Sequence, residues 1–365
     1  MTATLDTQFQ QDQTVWDRCS STYEHRVVGG HPDVCAYEEF EETLIDHLLL
    51  HLTRTLNIRI SVVDLGCGSG RLMLRLAAQT TSREHLKPQT AELFHEAESR
   101  HPAWAWNPLL QDKLQHITGV DFSRAMLDLA REKFVTAGLS QVLSPEKISM
   151  IHGSAFEPIR QPDGVIPVVV CLVNSIGVMQ GMEGARKLFQ AIRQTVEPHG
   201  GIGLISCFCR ENIRSHALGQ YESTMDVSGP PIWLKSDRYD LSEHLFVPLS
   251  YRRYDDPSQT IDVGVYDRDG GKSVDPCHPL YRIPERVEKT IGTGEIHTHQ
   301  GYKSRWYSRN EISELIAELW GGKGWQAFGS HIDPLRARAA QLAWCDPAGH
   351  ARKWFQLLMG ETHRG

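Results

Sequence analysis

A short glycine-rich string constrains this chain more than any other feature. Val62-Val63-Asp64-Leu65-Gly66-Cys67-Gly68-Ser69-Gly70-Arg71 stands between an apolar run, Ile58–Leu65, and an amphipathic segment, Arg71–Ala78. The apolar run is typical of a buried parallel strand. Glycines at alternate positions after it allow the backbone to approach a ligand and to adopt conformations that a side chain forbids. We therefore expect a strand, a tight ligand-binding turn and then a helix.

Further strands and helices alternate along the chain. Strands are predicted at Ile117–Val120, Ile148–His152, Val165–Val173, Gly203–Phe208, Trp325–Gly329 and Ala339–Trp344, and helices at Glu39–Leu56, Ser123–Ala137, Ala185–Val196 and Arg309–Trp320. Alternation of this kind predicts an α/β fold, a mostly parallel sheet covered on both faces. The pattern breaks between Cys209 and about Gln300, where only short strand-like pieces such as Ile261–Tyr266 stand out.

An acidic residue follows the second strand of this pattern. In Val120-Asp121-Phe122-Ser123-Arg124-Ala125-Met126-Leu127, Asp121 ends the strand and Ser123 suits the N-cap of the next helix. A carboxylate there can accept both ribose hydroxyls of a nucleoside, although it could also serve only as a cap. A dinucleotide fingerprint, G-x-G-x-x-G, would need its last glycine at position 71, where Arg71 stands.

Together these strings resemble the motifs of the class I S-adenosylmethionine-dependent methyltransferases. The first resembles motif I, an acidic residue and a hydrophobe before G-x-G-x-G, and the second resembles D-x-S-x-x-M-L-x-x-A, which ends here at Ala130. The resemblance covers about Ile58 to Cys209, and it implies a three-layer Rossmann-like sheet with S-adenosyl-L-methionine as cofactor. Asp121 lies about fifty residues beyond Gly70 rather than the usual distance of about twenty, and the proline-bearing segment 79–115 accounts for the difference.

Two later strings extend the predicted cofactor site. Ile151-His152-Gly153-Ser154-Ala155-Phe156 resembles the family's G-D-A-F turn, with Ser154 in the acidic place, and Asn174-Ser175-Ile176-Gly177 corresponds to the loop that faces the methyl group. Asp64 could hold the ammonium group of the cofactor, or it could be an ordinary turn carboxylate. The predicted cofactor-binding residues are Asp64, Gly66, Cys67, Gly68, Gly70, Asp121, Phe122, Met126, Gly153, Ser154, Ala155, Asn174 and Ser175.

The acceptor side is less sharply defined. Before the core, the stretch Trp16–Arg26 is rich in aromatic and charged residues and includes Tyr23, a candidate catalytic residue. If the stretch 297–307 is extended, His297 and His299 share a face, and either could be a general base or an ordinary strand histidine. Arg305 could clamp an acceptor carboxylate. No third ligand accompanies the H-x-H pair, so we predict no metal.

The kind of acceptor is predicted from two motifs that are missing from the loop at 174–177. The loop at 174–177 has neither the Asp/Asn-Pro-Pro-aromatic tetrad of DNA and protein amide or adenine methylases nor a Pro-Cys pair. A net charge of -7 argues against nucleic-acid binding. We therefore predict in-line methyl transfer to a nitrogen, oxygen or sulfur atom of a small molecule. A nicotinamide-dependent oxidoreductase on a similar fold and a non-catalytic S-adenosylmethionine-binding module stay open as alternatives.

The remaining expectations concern organisation and location. We predict an N-terminal tail and helical lid at 1–56, the cofactor-binding core at 57–208, an inserted acceptor cap at 209–300 and C-terminal elements completing the core at 301–365. No apolar run reaches the length of about 18 residues that a membrane helix needs, and Met1–Thr14 lacks the order of a secretion signal. A cytoplasmic protein with no membrane partner is expected, and its oligomeric state cannot be predicted.

Overall fold

A seven-stranded sheet organises the structure. The computed structural model describes residues 16–17, 32–86, 88, 91–92, 95, 105–208, 244–250, 260–268, 296–305, 307–328 and 340–359. The strands of the large sheet are β1 Ile60–Leu65, β2 Leu114–Asp121, β3 Ile148–His152, β4 Ile166–Cys171, β5 Ile202–Phe208, β9 Gly324–Phe328 and β10 Ala340–Cys345. Their order across the sheet is β3-β2-β1-β4-β5-β10-β9.

The pairing of the strands confirms the predicted, mostly parallel sheet. β1 pairs in parallel with both β2 and β4, and the parallel set continues to β3 on one side and β5 on the other. β10 instead runs antiparallel to β5 and to β9. This edge differs from the dinucleotide-binding sheet, whose six strands follow the order 3-2-1-4-5-6.

Helices cover both faces of the sheet. They are α1 Pro32–Leu50, α2 Arg71–Thr80, α3 Pro108–Lys113, α4 Arg124–Thr136, α5 Gly181–Val196, α6 Arg309–Leu315 and α7 Arg352–Met359. Successive strand residues point to opposite faces, so Val62 packs with α1, α2 and α4 while Val63 packs with α5 and α6. The three layers predicted from the sequence are therefore confirmed. Two predicted helices end in π-helical turns, α1 at His51–Thr55 and α6 at Ile316–Trp320.

The segment between β5 and α6 contributes a second sheet. β6 His244–Ser250, β7 Thr260–Arg268 and β8 Ile296–Arg305 form an antiparallel sheet in that order. The sequence pattern had indicated only short strand pieces here, because the alternation of apolar residues is weak. The predicted domain boundary at residue 300 falls inside β8, and the division into a core and an acceptor cap stays a prediction.

The insertion before β2 leaves the sheet undisturbed. The backbone N–H of Asn107 donates to the carbonyl of Gln79 at 2.8 Å, so the chain leaves α2 and returns to α3 at the same place. The Asn107 side chain then caps α3 by accepting from the N–H groups of Leu109 and Leu110. This geometry explains how β2 keeps its place beside β1 despite the long sequence separation. Among the helices that the structure describes, none is long and apolar enough to cross a membrane.

Candidate functional site

The pocket lies at the switch point of the sheet, where β1 has β2 on one side and β4 on the other. In open α/β sheets, ligands bind outside the carboxyl ends of the strands at such a point. The empty space in this open pocket, including solvent at its mouth, amounts to about 430 Å³. It is lined by Gly66, Val120, Asp121, Phe122, Gly153, Ser154, Ala155, Phe156, Val178, Met179 and Gln180.

The glycine turn is fastened to the end of β2. The backbone N–H groups of Gly66 and Cys67 donate to the carbonyl of Val120 at 2.8 and 3.1 Å. Gly66, Gly68 and Gly70 have φ angles of +77°, +52° and +70°, a region that side chains rarely adopt. A Cβ on Gly70 would lie 2.9 Å from that of Ala130 in α4, so the third glycine allows two helices to pack closely. The turn therefore requires its third glycine at position 70. Position 71, where the dinucleotide fingerprint has its last glycine, is the first residue of α2.

Asp121 joins the glycine turn to α4. Its Oδ2 accepts the N–H of Gly68 and its Oδ1 accepts the N–H of Ser123, both at 2.8 Å. A carboxylate offers about four acceptor positions, so each oxygen keeps a lone pair for a ligand. Burial raises the pKa of Asp121, while the hydrogen bonds from Ser123 and Gly68 act in the opposite direction. The result is a rigid carboxyl group at the wall of the pocket with capacity for two further donors.

Asp64 is a second buried carboxyl group near the same strand ends. Its register partners are Gly119 in β2 and Val170 in β4, and it is 5% exposed. Burial, together with the nearby charge of Asp121, raises its pKa to about 7, and Arg71 opposes this shift. A buried carboxyl group that titrates near neutral pH gains from a cationic ligand group, because the cation offsets the cost of its ionisation.

The turn after β3 continues the pocket lining beside the end of β2. The N–H of Gly153 donates to the backbone carbonyl of Asp121 at 3.0 Å, which holds this turn against the end of β2. The hydroxyl oxygen of Ser154 accepts the N–H of Phe156 at 3.1 Å. The hydroxyl therefore keeps its proton and one lone pair for a ligand. Phe122 and Phe156 supply apolar surface on the lining.

The N-terminal segment reaches the rim of this pocket through one described side chain. Asp17 Oδ1 accepts the hydroxyl of Ser123 at 2.5 Å and the N–H of Ala125 at 3.4 Å. Ser123 also caps α4 by accepting the N–H of Met126. An acidic group is favourable at a helix N-terminus, so this contact stabilises the start of α4 beside Asp121.

Comparisons with known proteins come at low sequence identity. No family model matches the sequence, and no curated protein does. Among solved structures, the chain is similar to a S-adenosylmethionine-dependent methyltransferase from Clostridium acetobutylicum, with 12% identity over 91% of this chain and 98% of that chain and a TM-score of 0.48. It is also similar to the CcbJ methyltransferase from Streptomyces caelestis, with 15% identity over 78% of this chain and 82% of that chain and a TM-score of 0.44.

A third similar structure is the sugar N-methyltransferase KedS8 from Streptoalloteichus. It shares 12% identity over 83% of this chain and 86% of that chain, with a TM-score of 0.39. The fold of the present chain is established by its own strand order and register. Its function therefore has to be argued from its own pocket.

The predicted cofactor residues are gathered at one place. Gly66, Asp121, Phe122, Gly153, Ser154 and Ala155 line the pocket. Gly68 bonds to Asp121, and the side chain of Ser175 lies within 3.3 Å of where a Cβ on Gly66 would stand. Cys67 is buried beside them, and burial raises the pKa of its thiol. Met126 is buried, and its backbone N–H donates to the Ser123 hydroxyl oxygen at the start of α4; its contact with the cofactor stays a prediction.

Five lining residues were not among the predicted cofactor-binding residues: Val120 and Phe156, which stand beside predicted residues in the same strings, and Val178, Met179 and Gln180. Val178, Met179 and Gln180 follow the loop at 174–177 and precede α5. The available signal was the glycine at 181, which marks the start of a helix and hence the end of a ligand-facing turn. Gln180 has a φ of +59°, and this backbone conformation cannot be read from the residue type.

Tyr307 fastens the loop after β4 to the end of β8. Its buried hydroxyl lies 3.0 Å from the carbonyl of Gly181 and 3.4 Å from that of Ile176. The backbone of Arg305 presses on the same loop, because a Cβ on Gly177 would lie 2.6 Å from the Arg305 carbonyl oxygen. The second sheet is thus connected to the wall of the pocket through β8.

The predicted acceptor residues have different outcomes. His297 and His299 lie in β8, opposite Asp267 and Val265, so this part of the stretch is extended, while their roles stay predictions. Arg305 is buried and paired with Glu311, with its guanidinium over the Tyr307 ring, and its role as an acceptor clamp also stays a prediction. Tyr23 lies outside the described residues. Within the part of the chain that is described, no three His, Cys, Asp or Glu side chains are grouped as metal ligands.

Proposed function

We propose that this chain is a S-adenosyl-L-methionine-dependent methyltransferase that methylates a nitrogen, oxygen or sulfur atom of a small molecule. The observation that carries the proposal is the geometry of Asp121. Its carboxyl group is fixed by Gly68 and Ser123 at the carboxyl end of β2, on the wall of the pocket. A carboxylate held in this way matches the two adjacent hydroxyls of a ribose.

The rest of the pocket fits the other parts of the same cofactor. The turn at 153–156 offers Ser154 and Phe156 to an adenine ring, and Phe122 lies on the same lining. Gly66 permits close approach of the backbone. Asp64, with its pKa near 7, suits the cofactor's ammonium group. S-adenosylmethionine supplies an electrophilic methyl group, so the chain itself has only to bind, to orient the acceptor in line and to exclude water.

The acceptor is expected between the loop after β4 and β8. Tyr307 and Arg305 connect these two elements, and β8 carries His297 and His299. If the acceptor is a hydroxyl, one of these histidines would remove its proton; a thioether or neutral amine would need no base. The loop carries Asn174, Ser175, Ile176 and Gly177 in place of an Asp/Asn-Pro-Pro-aromatic tetrad, which favours a small acceptor.

The test of this proposal uses S-adenosylmethionine labelled in the methyl group. The purified protein is incubated with a cell extract separated into low-mass metabolites, proteins and nucleic acids. We expect label in the low-mass fraction, and D121A should abolish most of that transfer. Label in protein or nucleic acid would contradict the small acceptor, and transfer to no fraction, despite cofactor binding, would favour a non-catalytic binding module.

A further inference from the structure

Backbone strain is concentrated in the loop after β4. Within the described residues, the non-glycine residues with positive φ are Asn57, Val173, Asn174 and Gln180. The last three lie in the stretch that runs from the end of β4 to the wall of the pocket. Asn174 tolerates the left-handed region well, but Val173, with a φ of +50°, has a branched Cβ that opposes it. Strain of this kind persists only where the surroundings impose it.

Glu41 is hydrogen-bonded to the backbone of Val173. This residue lies in α1 and is 1% exposed. Its Oε1 accepts the backbone N–H of Val173 at 2.9 Å and also the hydroxyl of Ser206 in β5. One carboxyl oxygen therefore bridges the carboxyl ends of β4 and β5, which are adjacent in the sheet.

The strained residue sets the path of the pocket wall. After Val173 and Asn174 the chain makes a 3-10 turn at Ser175–Val178, which brings Ser175 against Gly66. Val178, Met179 and Gln180 then line the cavity. If Val173 returned to an ordinary extended conformation, the chain direction would change immediately before all of these residues.

We propose that Glu41 is a positioning residue for the cofactor pocket: its hydrogen bond to Val173 holds the left-handed bend that places the 175–180 wall against the glycine turn. This inference rests on the proposed function, because it assigns the wall to S-adenosylmethionine binding. Loss of a buried acceptor lowers stability whatever its role, so the affinity and its rescue are what test Glu41.

The decisive variants are E41L, V173G and their combination. Leucine has a similar size but no acceptor, so Val173 can relax and the competent pocket is less populated. We expect the affinity for S-adenosylhomocysteine, measured by calorimetry, to fall about ten-fold in E41L, which corresponds to about 1.4 kcal/mol. The melting temperature should also fall, because the Ser206 hydroxyl and the Val173 N–H lose this buried acceptor. E41L/V173G should recover affinity to within about three-fold of wild type, because glycine adopts the left-handed region without a Cβ penalty.

A merely structural role for Glu41 predicts the opposite pattern. It would leave the affinity of E41L unrescued by V173G, and that result would overturn the proposal. Q161L is the matched control: it removes the buried acceptor of the Ser61 hydroxyl at the amino end of β1, far along the strand from the pocket. We expect Q161L to lower stability without changing affinity.

A second measurement separates this inference from the proposed function. If the wild-type protein does not bind S-adenosylhomocysteine, the proposed function fails, but the crystal structure of ligand-free E41L still decides the role of Glu41. Val173 should leave the left-handed region in that structure and the 175–180 wall should shift. Retention of a positive φ at Val173 would show that Glu41 does not hold the bend.

Discussion

The two walls of the pocket are held by different kinds of contact. The glycine-turn wall is fixed by its own backbone N–H groups, which donate to the end of β2: Gly66 and Cys67 to the carbonyl of Val120, and Gly68 to the carboxyl group of Asp121. The wall at 173–180 is fixed by side chains that arrive from far along the chain, Glu41 from α1 and Tyr307 from beyond β8. The position of the first wall is determined by residues of a short sequence motif. The position of the second wall depends on contacts with distant parts of the chain, so substitutions far from the wall can change it.

The largest effect should come from the motif wall. D121A removes the carboxyl group that Gly68 and Ser123 share, and with it the proposed ribose contact. We expect the affinity for S-adenosylhomocysteine to fall by roughly 1.5–3 kcal/mol, the usual loss for hydrogen bonds to a charged group. Calorimetry measures it, with circular dichroism to verify folding. D121N keeps one acceptor and should lose less.

The control for this variant is D128N. Asp128 lies in the helix that follows Asp121, α4, where it pairs with Arg131 at the surface. Its replacement should leave the affinity unchanged. A folded D121A protein with wild-type affinity would show that Asp121 does not bind the ribose.

Asp64 should make binding depend on pH. Its pKa of about 7 means that it is protonated below that pH in the free protein, whereas pairing with an ammonium group needs the carboxylate. Binding then releases a proton below pH 7, so the affinity should rise by about ten-fold per pH unit towards 7 and level off above it. D64N should bind weakly with a flat profile between pH 6 and 8. An unchanged pH profile in D64N would identify Asp64 as an ordinary turn carboxylate.

The same group should affect stability with the opposite sign. The folded-state pKa of Asp64 lies above its ordinary value of 3.8, so the unfolded chain ionises first as the pH rises. Ionisation of buried Asp64 costs the folded state no stability below about pH 4. This loss of stability grows between about pH 4 and pH 7 and is complete above pH 7. Without ligand, D64N should therefore melt at a higher temperature than wild type at pH 8, with the difference vanishing towards pH 4.

The smallest effect should come from the distant anchor of the second wall. Y307F removes the buried hydroxyl that donates to the carbonyl oxygen of Gly181 and lies near that of Ile176. We expect a loss of about 1 kcal/mol in the free energy of unfolding, measured by urea denaturation, and less than about three-fold in affinity. A loss of affinity as large as that of D121A would mean that the two walls do not differ as described.

The sequence analysis succeeded where the determinants are local. Alternating strands and helices predicted the sheet, and the strings around Gly66, Asp121 and Gly153 predicted one wall of the pocket, because a motif places its own backbone groups. Val178, Met179 and Gln180 escaped it, since the left-handed backbone at Gln180 cannot be read from the residue type. The roles of Glu41 and Tyr307 escaped it as well, because they arise from contacts across more than a hundred residues.

The most direct test of the central claim is calorimetric titration of the wild-type protein with S-adenosylhomocysteine, with NADH and NADPH as parallel ligands. The geometry at Asp121 and the glycine turn predicts micromolar binding of S-adenosylhomocysteine and no measurable binding of either nicotinamide cofactor. Binding of NADH or NADPH without binding of S-adenosylhomocysteine would contradict the account and make the chain an oxidoreductase on a similar fold.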